Sequence, residues 1–445
     1  MGEPRQEPKK TRARRLLTIT PAPVPLPWLA QVAALKGLRS PLAMEFWRIL
    51  RRVHGWADTP QESRGDIFDL DQRKVLEGLG RACAYPPRLV ETFGAFARLV
   101  RTPGETTPEA VSHACHEVMQ WASEEGYPEL VVLFAEAAAA ASPMNADHAN
   151  VAGKACRTTS KSSRAETWYH RGIGVAIRTK NRQAVIDALL GYGNLRRDLG
   201  RHEDARPYFE RAAQRALNTG RLRQAGKAHH DLLTIAAEVG TLPQARRHVT
   251  LALDYYPAAD ARLPALAHDW AYLLVRLGHY SSAIPLLTLA RQYAPSPDEE
   301  TVMASTLAWS WGGIRDRRQF DEAEAVVTRL LETHRFFAAA ALIHLARGAR
   351  AFGQWERAES YAREACQIAR QRKEETNVHA AVELLRQIRA REMAPMDTDL
   401  PDSERIVRIT RRFQSRLRRL PTPGHHRPGA EVPAEEDDVA APAGT

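Results

Sequence analysis

Apolar positions recur at helical spacing along most of the chain, in bursts separated by Gly, Pro and polar turns. In the N-terminal part the bursts are Leu29, Val32 and Leu35; Phe46, Ile49, Leu50 and Val53; Val75, Leu76 and Leu79; and Val90, Phe93, Phe96 and Leu99. Breaks at Ser40-Pro41, at Thr59 to Asp66 and at Pro86-Pro87 divide this stretch into short helices, read as a small helical domain over residues 27–111. Residues 1–26 are basic and then Pro-rich, a composition that buries no core and predicts a disordered, extended arm.

From Ser112 to about residue 370 one pattern recurs: a helix, a tight turn, and a second helix with small residues at fixed offsets. Anchored on one position of the second helix, the series is Val131, Ala165, Ala205, Ala245, Ala283, Ala323 and Ala358, at separations of 34, 40, 40, 38, 40 and 35 residues. That is the period of paired-helix repeats. Five residues before the anchor stand Gly126, Gly200, Gly240, Gly278 and Gly353, with Ser160 and Arg318 in the other two units. Glycine there admits positive φ at a helix C-terminus. Four residues after the anchor come Ala135, Tyr169, Phe209, Val249, Leu287, Val327 and Ala362, and seven after it Ala138, Gly172, Ala212, Ala252, Ala290, Leu330 and Ala365. Small residues suit close helix crossings and bulky ones fill the space between.

This pattern resembles the tetratricopeptide repeat family, most closely at Leu189, Gly193, Gly200, Ala205, Phe209 and Ala212. The resemblance spans seven units over residues 112–370 and implies an all-α, right-handed superhelical solenoid of antiparallel helix pairs, here following a small N-terminal helical domain. It also implies a binding groove lined by the fifth, ninth and twelfth residues of each first helix. Carried onto this chain, those positions include Asn150, Lys154, Arg157, Asn194, Arg197, His230, His268, Tyr272, Arg315 and Arg347. Asn194 would bond a peptide backbone, and Lys154, Arg157 and Arg197 would hold carboxylates.

Val378, Ala381, Val382, Leu385 and Ile388 define one more helix, the expected cap of a solenoid over residues 112–392. After a polar linker, residues 403–420 form an Arg-rich amphipathic helix with Ile406, Ile409, Phe413, Leu417 and Leu420 on one side. Three readings stand for it: an apolar-faced helix folded back on the protein, a helix on an anionic membrane surface, or a binder of nucleic acid or an acidic partner. Residues 421–445 read as a disordered acidic tail that carries Glu435-Glu436-Asp437-Asp438.

Of the 445 residues, 44 % are hydrophobic and 26 % charged, as in ordinary globular proteins, and the 63 Lys and Arg against 53 Asp and Glu favour anionic partners. Cys83, Cys115, Cys156 and Cys366 are too dispersed for a disulfide framework or a zinc site, which predicts a reducing, cytoplasmic setting. Prolines 21, 23, 25 and 27 break any signal-peptide core behind the basic run at residues 9–15.

The sequence carries no GxxxxGK[ST] loop and no HExxH helix, and Gly172 and Gly174 follow no predicted strand. In His113-Ala114-Cys115-His116 the cysteine falls on the buried face and reads as packing. His229-His230 and His268-Asp269 read as groove or surface positions on first helices. A helix-turn-helix over Leu29 to Val53 is weighed and set aside, because Phe46, Trp47, Ile49 and Leu50 suit packing better than a DNA groove.

The expectation is therefore a cytoplasmic, non-enzymatic scaffold or adaptor that binds a protein or peptide with acidic groups, without cofactor, metal or small-molecule substrate. Nucleic acid, and a membrane surface through residues 403–420, are secondary partners. The alternative is a peptide-responsive regulator, since a small helical domain ahead of long repeats resembles the layout of bacterial peptide-sensing regulators.

Overall fold

The protein's structure, a computed structural model, describes residues 19–35, 37–38, 40–68, 86–372, 374–392 and 403–421. The helix expected at Val75, Leu76 and Leu79, together with Cys83, lies outside them, as do most of the two terminal tails. The described residues are helical with no strand, as the repeat pattern requires. Packing divides the chain into two units, residues 1–255 and 256–445.

The first unit opens with α1 (Trp28–Ala34), α2 (Ser40–Asp58) and α3 (Val90–Arg101). Four antiparallel pairs follow: α4 (Pro108–Glu124) with α5 (Pro128–Ala141), α6 (Ala146–Thr158) with α7 (Ser162–Arg178), α8 (Arg182–Asp198) with α9 (His202–Asn218), and α10 (Leu222–Val239) with α11 (Leu242–Tyr255). Caps set several starts. The side chains of Thr107, Asn145 and Asn181 accept backbone N–H groups at the beginnings of α4, α6 and α8. Repeat offsets become contacts, with Tyr169 and Phe209 buried between pairs and Ala165, Ala205 and Ala245 closing the crossings.

The described helices of segment 27–111 share one core with the first pairs. Phe46 of α2 lies 5.7 Å from Phe93, 5.6 Å from Trp121 and 5.5 Å from Phe134, centroid to centroid. Part of the arm expected to be disordered is also held. Residues 19–26 have no helix, and Arg171 and Arg164 of α7 donate to the carbonyls of Thr20 (3.0 Å) and Val24 (2.9 Å). Arg164 also grips Glu136 through Nε (2.8 Å) and Nη2 (2.7 Å), and the Trp168 indole donates to the same carboxylate at 2.9 Å. Glu136 is buried on α5, so these donors stand in for its lost hydration.

The second unit contains three pairs: α12 (Leu263–Arg276) with α13 (Tyr280–Arg291), α14 (Pro297–Gly313) with α15 (Arg317–Leu331), and α16 (Ala338–Ala351) with α17 (Trp355–Arg372). The turn glycines 126, 200, 278 and 353 take the positive φ expected of them, as does Ser160, while Gly240 is extended at φ −102°. Between α14 and α15 the expected turn position is corrected. The left-handed residue is Arg315, φ 59°, and not Arg318, which lies inside α15. Asp316 caps α15, so its repeat register begins three residues earlier, with Phe320 at the position assigned to Ala323. First helices α14 and α16 also cross directly: a Cβ on Gly312 would sit 2.7 Å from the Gly348 Cα.

Past the pairs, α18 (Glu375–Arg389) packs on α16 and α17 and buries Ala381, Leu384 and Ile388. Val382, expected on that face, is exposed. The Arg-rich segment forms α19 (Glu404–Leu417), capped by Ser403, and docks on α12 and α13. Ile406, Ile409, Phe413 and Leu417 are buried there, each side chain contributing about 1.5–3 kcal/mol. Arg416 donates to the Tyr256 carbonyl at 2.8 Å and also to that of Pro257. Of the three readings of this segment, the fold-back is the one seen.

The Glu136 site yields a stability expectation. Glu136→Ala leaves Arg164 and Trp168 without their acceptor and should lower unfolding stability by about 3–5 kcal/mol in urea titration. A loss below about 1 kcal/mol would show that water replaces the carboxylate freely.

Candidate functional site

The ten residues expected to line a groove fall into two groups, one in each unit. In the first unit they do not form a row of open cations. Arg157 of α6 is ion-paired with Asp198 of α8. Arg197 of α8 donates to Asp231 at 3.1 Å and to Thr234 Oγ1 at 3.2 Å, both on α10. These arginines bind carboxylates, but those of the next first helix. Asn150 donates to the Ala184 carbonyl at 2.9 Å, and the buried Oδ1 atoms of Asn150 and Asn194 have no partner among the described residues. Lys154 is exposed on this face, and His230 is buried.

The neighbouring His229 belongs to a separate cluster. Its Nδ1 lies 3.2 Å from Nδ1 of His248, and its ring stacks on those of His248 and Tyr255 at 5.4 and 5.7 Å. One ring must donate and the other accept, so protonating both sets N–H against N–H. Burial first brings each imidazole down to about 4, with Arg247 adding to it at His229, and His229 and then Arg247 adding to it at His248. Cys115 is fully buried, and burial pushes its thiol far up, which removes the nucleophilic thiolate and leaves the packing role.

The second unit gathers a site. His268 and Tyr272 come from α12, Trp309 from α14, and His344 and Arg347 from α16. Tyr272 lies 6.3 Å from Trp309 and 5.7 Å from His344, Trp309 stacks on His344 at 5.4 Å, and the Arg347 guanidinium lies 4.3 Å over Trp309. Hydroxyls fix the imidazoles: His268 Nε2 pairs with Thr306 Oγ1 at 3.1 Å, and His344 Nδ1 with Ser305 Oγ at 3.0 Å. Asp269 is 3.1 Å from His268 Nδ1. Burial, with Arg347 and His268 adding to it, holds His344 well below the usual range, so at neutral pH it is an uncharged aromatic wall.

Beside this cluster opens a cleft of about 320 Å³, lined among others by Arg276, Tyr280, Trp309, Arg315, Arg347 and Arg350, with no acidic residue in its lining. Arg350 donates to Gln387 and keeps a buried Nε without a partner. Burial and the charge of Arg347 lower its proton affinity. Such a cleft offers the Trp309 indole as part of its wall and takes an anion among the guanidiniums.

Trp309 was absent from the expected groove because of the three-residue slip. With Arg315 as the twelfth residue of a first helix, the fifth and ninth would be Ala308 and Gly312, yet Arg315 lies past the end of α14 in the left-handed turn. Starting from Phe320, the positions become Ser305, Trp309 and Gly312, which puts Trp309 in one row with Tyr272 and Arg347. The signal was present in Asp316, a helix N-cap residue one position before α15. Arg315, expected on a first helix, reaches the same cleft from the turn.

No protein-family model matches the chain, and no curated protein matches it. Among solved structures, a Rap protein complexed with competence and sporulation factor is similar at 10 % identity and TM-score 0.49, over 78 % of this chain and 99 % of that one. A Rap conjugation gene regulator of plasmid pLS20 in complex with the Phr* peptide is similar at 14 % identity and TM-score 0.45, over 79 % and 98 %.

The histidine pair makes stability depend on pH. Both folded values lie below the unfolded 6.5, so stability is complete above about pH 6.5 and falls as pH drops toward about 4, by at most about 2.7 kcal/mol per unit for two protons. His344, also held well below the usual range, adds to the same acid-side loss, so His248→Gln should lower the slope by about 1.4 kcal/mol per pH unit, one proton's share, in urea titrations at a series of pH values. An unchanged slope would assign it to other groups.

Proposed function

We propose that this chain is a cytoplasmic, peptide-binding scaffold of tetratricopeptide type whose ligand lies along the first helices of the second unit. The observation that carries the reading is the convergence of Tyr272, Trp309 and Arg347 from three successive first helices beside a cleft with four arginines and no acid. Aromatic and Arg side chains are the residues that dominate binding energy at protein interfaces, because they bury much area at low entropic cost and pair planar acceptors. The ligand that fits is an extended peptide carrying a carboxylate near an apolar or aromatic residue. Buried, unpaired thiols at Cys115, Cys156 and Cys366 accord with a reducing compartment. The first-unit arginines at 157 and 197 take a different part in this reading, holding consecutive first helices in register rather than gripping the ligand.

The test is panning of a random-peptide display library against the full chain. Enriched peptides are expected to carry Asp or Glu, and Trp309→Ala and Arg347→Ala should each weaken them at least about tenfold, as interface hot spots do. Arg157→Ala should leave affinity within about twofold while lowering thermal stability. Absence of enrichment, or equal binding by the Trp309 and Arg347 variants, overturns the proposal.

A further inference from the structure

The peptide site leaves α19 unused. Residues 404–419 hold seven arginines against one acidic residue, Glu404. Arg412 and Arg416 are half-buried, and Arg416 is spent on backbone carbonyls. Arg405, Arg408 and Arg411 are exposed on α19 and, at 100° per residue, fall on an arc of about 120° opposite the buried face; Arg418 and Arg419 are exposed in the turn that follows Leu417. None of these five makes an ion pair among the described residues.

Arginine-rich helices elsewhere in this unit are arranged differently. On α15, Arg317 pairs with Asp321 at 2.9 Å and Arg318 with Glu322 at 3.0 Å. On α17, Arg363 pairs with Glu359 at 2.8 Å, and on α18 Arg386 pairs with Glu383 and Glu392, both at 2.9 Å. A solvated basic helix in this protein interleaves acids one turn away, which removes like-charge repulsion. On α19, Arg405 and Arg408, Arg408 and Arg411, and Arg408 and Arg412 stand three or four residues apart with no acid between them. Beneath it, α13 carries no Asp or Glu, and Asp269, the one acid of α12, faces His268. The repulsion is left standing, and an anionic ligand would relieve it.

Three observations select the anion. A helix that inserts into a membrane surface needs its apolar face, and here Ile406, Ile409, Phe413 and Leu417 are consumed by docking on the protein. A protein interface needs an apolar or aromatic anchor, and none of the exposed large apolar side chains lies on α19. A single strand is held by base stacking, and the one aromatic of α19, Phe413, is fully buried. What remains is a row of five arginines carried on a docked segment about 20 Å long, the reach of several successive phosphates of a double helix. We propose that the outward face of α19 binds the phosphate backbone of duplex DNA without reading its bases, a function separate from the peptide site.

The test is fluorescence anisotropy of the full chain with a labelled DNA duplex of ~20 base pairs, between ~50 and ~200 mM salt. Five phosphate contacts should give a log–log salt slope of about −4 to −5. Replacing Arg405, Arg408, Arg411, Arg418 and Arg419 with Gln should weaken binding at least about tenfold and flatten the slope, since each lost phosphate contact removes about one unit. Circular dichroism should be unchanged, because the docking face is untouched. A second variant with Arg317, Arg318, Arg363, Arg386 and Arg389 changed to Gln lowers net charge equally and should bind within about twofold of the parent. The inference is overturned if the parent does not bind the duplex, or if the second variant loses as much affinity as the first. It is equally overturned if phosphatidylserine vesicles, and not DNA, show the dependence on the five arginines.

Discussion

A pair of antiparallel helices leaves an apolar stripe on one flank that it cannot cover by itself, and most of this architecture follows from that requirement. Each pair is stable only against the next, so helices must cross closely, and closeness demands small residues. Ala165, Ala205, Ala245, Ala283 and Ala358 are therefore fully buried at the crossings, while Tyr169, Phe209 and Leu287 fill the volume one turn further on. Where α14 meets α16, a Cβ on Gly312 would strike the backbone at Gly348, and a Cβ on Gly348 would strike the ring of Phe320 on α15.

The same requirement accounts for the way the ends of the described chain are covered. In the first unit Phe46 and Phe93 continue the apolar column begun by Trp121 and Phe134. In the second, α18 covers the last pair, α16 and α17, while α19 packs back on α12 and α13. Docking of α19 has a functional side effect. By burying the apolar half of an amphipathic helix it presents the cationic half as a fixed strip, with no apolar surface left for a bilayer.

The two groups of first-helix residues show how one repeat position serves different ends. Position twelve is arginine in α6, α8 and α16, but Arg157 and Arg197 meet acids on the following helix, whereas Arg350 points into a cleft whose lining has none. Nearest neighbours decide whether such a cation is spent on an acid of the next first helix or lines a cleft. The ring cluster of Tyr272, Trp309 and His344 arises in the second unit because α14 and α16 approach closely there.

Periodicity alone was enough to determine the repeat helices and their pairing, since these depend on residue spacing within one helix and its partner. It was not enough for Trp309. A three-residue shift between α14 and α15 leaves alanines at plausible offsets, and only the position of Asp316 and Arg315 in the turn restores the register. Nor did the sequence determine where α19 docks, that Arg164 and Arg171 hold residues 20 and 24, or which arginines are paired. Those outcomes depend on contacts between residues some 30 to 160 positions apart. No local pattern encodes such contacts, because they exist only once the helices have stacked.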